Sequence, residues 1–175
     1  MNFNQRLFFA INKTVGQKPW LDALGRAGAE WVIVAMIGWY VASALIGYLP
    51  NFKLAIWPIL FLGTSWAFAW VINLFIGLIV KEPRPHVKFL EARLLFTPLM
   101  SWKSFPSDHA MSAWLIFFMA AIFQLPFFLA LLPLAFWISW GRIFAGVHYP
   151  LDILGGVGVA GFVAALAAVL LGSLV

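Results

Sequence analysis

The sequence predicts an all-α integral membrane protein, a helical bundle of about five transmembrane helices with an N-terminal amphipathic helix lying in the interface. Three observations carry that expectation. Of the 175 residues, 64% are hydrophobic and only 10% charged, with a mean hydropathy of +0.97, whereas soluble domains carry about 25% charged residues. Uncharged apolar blocks recur at lengths that suit a bilayer, which takes about 20 helical residues to cross. The length fits one bundle, so residues 1–175 read as a single membrane-embedded domain.

The elements follow in order. In residues 1–26, Phe3, Leu7, Phe8 and Ile11 recur at helical spacing beside Asn4, Gln5, Asn12 and Lys13, the pattern of an interfacial helix. This segment has no charged start, apolar core and small-residue cleavage site in succession, so no removable signal peptide is read there. Trp31 to Leu49 is the first expected span, and Leu54 to Val80 the second, long enough to cross with tilt. Ala110 to Gly141 carries no charge but far exceeds one crossing; Gln124-Leu125-Pro126 supplies a break, giving two short spans. Ile153 to Val175 is the last span, rich in the Gly and Ala that favour close helix packing. The absence of cysteine excludes disulfides and thiolate metal sites.

Five crossings place the segment after the second span, residues 81–105, on the same membrane face as the segment after the fourth, residues 142–150. Nearly all the interior polar chemistry lies in these two segments, in three clusters. The first is Lys81-Glu82-Pro83-Arg84-Pro85, where two prolines stiffen the loop around the arginine. The second is Pro106-Ser107-Asp108-His109, at the start of an apolar helix. Such an N-terminus offers free N–H groups and partial positive charge to an anion. The third joins Arg142, His148 and Asp152. The last two are four residues apart, so both can lie on one helical face, where the carboxylate orients the imidazole and frees its other nitrogen as base or nucleophile.

Two arginines, a lysine and a helix N-terminus around an anion, with two histidines and one aspartate, point to metal-independent phosphoryl transfer. No acidic cluster is present to hold magnesium, and two histidines with one aspartate are a poor zinc set, so neither a metal nor another cofactor is expected. The net charge of +5 suits anionic lipid or an anionic substrate. Nucleic acid is excluded as a partner because the basic residues form no solvated stripe. The sequence names no protein partner. Taken singly, Arg142 and Lys81 are also explained as interfacial anchors, His148 with Asp152 as a helix-start pair, and Glu30 as an interfacial group. Their joint occurrence on one face favours the site.

The three clusters resemble the signatures of the type 2 phosphatidic acid phosphatase superfamily, whose membrane branch dephosphorylates lipid phosphates on a helical bundle. The resemblance implies His148 as a nucleophile forming a phosphohistidine, Asp152 as its orienting carboxylate and His109 as the acid for the leaving group. It further implies Arg84, Arg142, Ser107 and Lys81 as holders of the phosphate oxygens. The chain departs from the pattern in three places. The usual first-signature lysine falls on Gly77, with Lys81 taken in its stead; Gly141 stands where serine usually precedes the arginine; and Asp108 replaces a glycine and is expected to point away from phosphate.

Pro-Ser-Asp-His with Gly-Val-His-Tyr-Pro-Leu-Asp is most similar to the bacterial undecaprenyl-diphosphate phosphatases, which implies hydrolysis of a polyprenyl diphosphate to the monophosphate. Phosphatidic acid, phosphatidylglycerol phosphate, lipid A 1-phosphate, phosphotransfer to a lipid or sugar, and lipid binding without catalysis stay open as alternatives. The resemblance places the chain in the bacterial cytoplasmic membrane with its site on the outer face. The charges argue the other way. With Lys81, Arg84 and Arg142 set aside, seven basic residues lie on the site's face against Lys53 on the other, which by the positive-inside rule is cytoplasmic. The resemblance is given the greater weight, because an anionic substrate recruits basic residues.

Overall fold

A computed structural model describes residues 1–98 and 102–173. Residues 99–101 of the 81–105 loop and the end of the last expected span, Leu174 and Val175, lie outside the described residues. The described chain is helical throughout, without strands: α1 (Phe3–Asn12), α2 (Pro19–Arg26), α3 (Val32–Gly47), α4 (Ile56–Val80), α5 (Pro85–Lys88), α6 (Asp108–Ile122), α7 (Leu131–Phe144) and α8 (Pro150–Gly172).

Local signals set the helix ends. Asn2 and Gln5 form a reciprocal capping box on α1, each side chain bonding the other's backbone at 2.9–3.1 Å. Pro19, Pro85 and Pro150 each open a helix at a position whose N–H has no partner anyway. Lys81 caps α4 in the left-handed conformation (φ 50°), and Pro83 and Pro85 keep the chain from resuming it. The break expected at Gln124–Pro126 is present, with Gln124 and Phe127 both at positive φ.

The N-terminal region differs from expectation. Residues 1–26 form two helices rather than one, and α2 runs without interruption through a π-helical turn, Ala27–Trp31, into α3. The first crossing therefore starts at Pro19 and reaches Gly47. Nor does α1 merely float on the surface: Phe8 is fully buried, edge-on to Tyr149, and α1 packs on α7 and α8. Hydrophobic spacing alone did not distinguish a lipid-facing stripe from one that docks on neighbouring helices.

Three stretches, Pro19–Gly47, Phe52–Lys88 and Pro150–Gly172, are long and apolar enough to cross a membrane, and α6 and α7 are shorter apolar helices. At 1.5 Å per residue, α6 spans roughly 22 Å. It is also the centre of the bundle, in contact with α3, α4, α7 and α8. Ala110, Met111, Ala113, Leu115, Ile116, Met119 and Ala120 are buried around its circumference, as expected of a helix enclosed by others. Lipid offers little hydrophobic drive for helix association, so close van der Waals packing holds such a bundle. Gly156 on α8 illustrates this: a Cβ there would lie 2.5 Å from Ser107 O and 2.9 Å from Met111 N.

Two hydrogen-bonded ties collect the polar loops at one end. Asn12, buried at the end of α1, donates Nδ2 to Arg93 O and Phe144 O at 2.7 and 2.8 Å and accepts from Arg93 N at 2.8 Å. Leu95 N bonds Ala145 O. The N-terminal helix, the 81–105 loop and the turn before α8 thus meet on one face, as five crossings require.

Candidate active site

At that end the structure holds a cavity of about 770 Å³, walled by α3, α4, α6 and α7. Its polar end carries Arg84, Asp108, His109, Arg142, His148 and Glu30; its apolar wall includes Ile37, Tyr40, Leu62, Gly63, Trp66 and Trp70. Ile37, Trp66 and Trp70 are accessible residues of that wall, and they lie on α3 and α4, within stretches long and apolar enough to cross a membrane.

His148 sits in the turn between α7 and α8, 2% exposed. Its Nδ1 lies 3.5 Å from Asp152 Oδ2, and its Nε2 is 3.3 Å from Arg84 Nη1. A guanidinium has donors only, so Nε2 is the acceptor in this contact and the ring proton belongs on Nδ1, facing the carboxylate. Burial pushes the imidazole well below the usual histidine range; Arg84 and Arg142 push the same way, and Asp108 opposes them. At neutral pH the ring is uncharged, with a lone pair on Nε2.

Asp152 is fixed from behind. Its Oδ2 accepts from Tyr149 N at 2.7 Å, capping α8, and from Ser104 Oγ. Ser104 is fully buried, and its N bonds Glu82 O at 2.8 Å. A backbone bond from Ser107 N to Asp152 O (3.0 Å) joins the start of α6 to the start of α8. The carboxylate is therefore held by two donors, one at the start of its own helix and one, Ser104, from a sequence-distant segment.

The two arginines are each 4% exposed. Arg84 donates Nη1 to Val147 O at 3.0 Å, and Arg142 donates Nη1 to Ala29 O at 3.0 Å, with the Phe96 ring 5.7 Å from its guanidinium carbon. Among the described residues neither Nε has a partner and no carboxylate pairs with either group. Buried cations without a directly paired carboxylate are costly, and their unfilled donors suit a tetrahedral anion.

Of the residues singled out in the sequence, the cavity brings together Arg84, His109, Arg142 and His148, with Asp152 directly behind His148. Ser107 is fully buried and caps α6, its Oγ accepting from Ala110 N at 3.4 Å; it is not among the cavity-lining groups. Lys81 is exposed and also off the cavity, because its left-handed cap turns the chain away from α4. Asp108 is among the cavity-lining residues, while its Oδ1 is taken by Lys103 Nζ at 2.8 Å and Asn73 Nδ2 at 3.0 Å, two groups off the cavity. Glu30, expected as an interfacial group, reaches the same cavity. His86 stays at the edge, its Nδ1 3.3 Å from Gly146 O.

Sequence reasoning missed Ser104, Lys103, Asn73 and the π-helical turn. Lys103 and Ser104 immediately precede the second cluster, so proximity was the available signal. The turn also explains Gly141: a Cβ there would lie 2.7 Å from Ala29 N and 2.8 Å from Gly28 C, so only glycine lets the turn reach Arg142.

Residues 58–173 match the family model described as the PAP2 superfamily. The chain is 32% identical over 171 residues to YbjG of Escherichia coli (strain K12), provisionally named an undecaprenyl-diphosphatase, covering 95% of this chain and 81% of that one. It is 31% identical over 157 residues to the undecaprenyl-diphosphatase BcrC of Bacillus subtilis (strain 168), covering 90% and 78%. Among solved structures, the crystal structure of Aquifex aeolicus LpxE superposes with a TM-score of 0.72 over 95% of both chains at 23% identity, a likeness of fold.

Proposed function

The chain belongs to the PAP2 superfamily and is a membrane lipid phosphatase, and from that premise we propose that it hydrolyses a polyprenyl diphosphate, undecaprenyl diphosphate foremost, to the monophosphate. One observation carries the reading: two buried guanidiniums without carboxylate partners converge on a neutral histidine at the polar end of a largely apolar cavity. The polar end suits a phosphate, and the apolar wall suits the first isoprene units of a tail that stays in the bilayer. The names of the YbjG and BcrC relatives support the diphosphate.

The proposed chemistry has two displacements. His148 Nε2 attacks the terminal phosphorus, forming a P–N bond as the P–O bond to the lipid monophosphate breaks. His109 stands in the cavity to supply a proton to that leaving oxygen. Arg84 and Arg142 hold the non-bridging oxygens as charge develops on them, and Ser107 contributes by setting the α6 N-terminus toward the anion. Water then attacks the phosphohistidine, passing a proton to His109 and so restoring it, as the P–N bond breaks and inorganic phosphate is released. Asp152 stabilises the charged imidazole in both steps.

The single domain of residues 1–175 sits, in this proposal, in the bacterial cytoplasmic membrane with its site outward and the 81–105 loop over it. A reporter fused to the N-terminus tests orientation, because α1 and the site share a face; a cytoplasmic N-terminus contradicts the outward site.

Phosphate release by the purified protein, in EDTA, from a panel of undecaprenyl diphosphate, phosphatidic acid, phosphatidylglycerol phosphate and lipid A 1-phosphate tests the substrate. The diphosphate is expected to give the highest kcat/KM. A preference for any monoester contradicts the proposal.

A further inference from the structure

Lys103 is a third basic group at this end of the bundle, and its setting differs from that of the two arginines. Its side chain is 3% exposed, and its Nζ lies 2.8 Å from Asp108 Oδ1. A lysine at that depth requires a partner. The path of its side chain is specific. The stem crosses α4 at Gly77, where a Cβ would stand 2.5 Å from Lys103 Cδ and 3.4 Å from Phe105 O. The ammonium thus reaches Asp108 through a notch left by the missing side chain at 77. One turn earlier on the same helix, fully buried Asn73 donates Nδ2 to the same carboxylate oxygen at 3.0 Å.

The carboxylate held in this way is not remote from the chemistry. Asp108 lines the cavity with Arg84, His109, Arg142 and His148, and its charge is felt at the buried His148 ring. Left uncompensated, it opposes the binding of a phosphate to the arginines. With the ammonium on Oδ1 the pair is neutral, and the guanidiniums set the charge of the polar end. Lys103 itself is not among the cavity-lining groups, so its action passes through Asp108.

Resting on the phosphatase reading above, we propose that Lys103 is a positioning residue of this site: lying across Gly77, it fixes and neutralises the Asp108 carboxylate so that the cavity accepts a phosphate dianion. Asn73 completes the clamp. The role is electrostatic, so it depends on Asp108 being charged.

The test compares wild type, Lys103→Met, Lys103→Arg, Asp108→Asn and the Lys103→Met/Asp108→Asn double variant in detergent. Two readouts are used: KM for undecaprenyl diphosphate hydrolysis, and the dissociation constant of inorganic pyrophosphate by calorimetry. Lys103→Met is expected to raise both by about tenfold, with a smaller change in kcat, because it exposes one unit charge near the anion. Lys103→Arg keeps the charge and recovers most of the affinity. In the Asp108→Asn background, removing the lysine is expected to change both constants by no more than about twofold. A tenfold loss in that background overturns the proposal, since Lys103 then acts on the phosphate directly. Unchanged affinity in Lys103→Met overturns it equally. The comparison within the Asp108→Asn background stands even if the single lysine variant fails to fold. If wild type hydrolyses no lipid diphosphate, the functional reading falls, and the pyrophosphate constants still decide the role of Lys103.

Discussion

His148 is held between a carboxylate and a guanidinium, its Nδ1 3.5 Å from Asp152 Oδ2 and its Nε2 3.3 Å from Arg84 Nη1. The two contacts divide the ring's functions. The Arg84 donor fixes the tautomer by engaging the Nε2 lone pair, which turns the Nδ1 proton toward the carboxylate; in the proposed reaction an arriving phosphate oxygen takes over the Arg84 donor. The 3.5 Å separation is longer than a hydrogen bond; such contacts at catalytic groups commonly tighten when substrate binds.

Asp152→Asn keeps the side chain's shape but removes the charge that, in the proposed mechanism, stabilises the imidazolium-like transition state. A fall in kcat of about a hundredfold or more is expected, with KM nearly unchanged. Ser104→Ala removes one of the donors to Oδ2 and is expected to cost about tenfold in kcat by letting the carboxylate turn. Steady-state kinetics on the lipid diphosphate check both. Equal effects of the two variants contradict the assigned hierarchy.

The acid limb of the pH profile reports the coupled His148–Asp152 pair. The His148 imidazole is held well below the usual histidine range, by burial first and then by Arg84 and Arg142. Protonation removes the nucleophile, so kcat/KM is expected to hold through pH 6.5 and fall only at lower pH. Arg84→Gln removes a cation that disfavours the protonated ring, so the limb moves up in pH. Stability follows the same sign. Below the unfolded histidine pKa the unfolded chain binds the extra proton, so stability declines as pH falls from about 6.5 toward the folded value. A limb at or above pH 6.5 in wild type contradicts the buried neutral nucleophile.

Gly141→Ser, which moves the chain toward the usual family pattern, is expected to lower stability by about 1–3 kcal/mol through overpacking. The added Cβ meets backbone of the π-helical turn at 2.7–2.8 Å, and pushing that turn away breaks the Arg142–Ala29 bond. Thermal unfolding in detergent, together with KM, measures the effect. An unchanged unfolding temperature shows that the turn moves freely and removes the explanation given for glycine.

Gly63 lines the cavity, and a Cβ there meets nothing within 4 Å. Gly63→Phe therefore fills open space on the proposed tail path. KM for undecaprenyl diphosphate is expected to rise about tenfold, the scale of a lost hydrophobic pocket contact, while hydrolysis of a short-chain prenyl diphosphate stays near wild type. Equal losses for both chain lengths argue against a tail in this cavity.

Much of this arrangement is legible in the sequence, for a physical reason. In an apolar chain each buried charge or imidazole is costly, so Arg84, His109, Arg142, His148 and Asp152 stand out at once. Hydropathy likewise marks the long helices, and Pro126 the break between α6 and α7. Where contacts cross between distant segments, the pattern carries no such mark. Ser104 reaches Asp152 and Lys103 reaches Asp108 by tertiary placement alone. Lys81, three residues before Arg84, was taken in place of the usual lysine, but its left-handed cap leaves it exposed, whereas Lys103 crosses the notch at Gly77. The run from Pro19 to Gly47 was hidden because its π-helical turn exists to meet Gly141 on another helix.

The covalent intermediate is the centre of the account, and rapid quenching observes it directly. Wild-type protein mixed with undecaprenyl diphosphate, quenched within one turnover under alkaline conditions and mapped by mass spectrometry, is expected to carry an acid-labile phosphate on His148. The signal should rise and decay at rates matching kcat and be absent from His148→Ala. A phosphate found on His109, or steady turnover with no phosphorylated histidine at any time, contradicts the account.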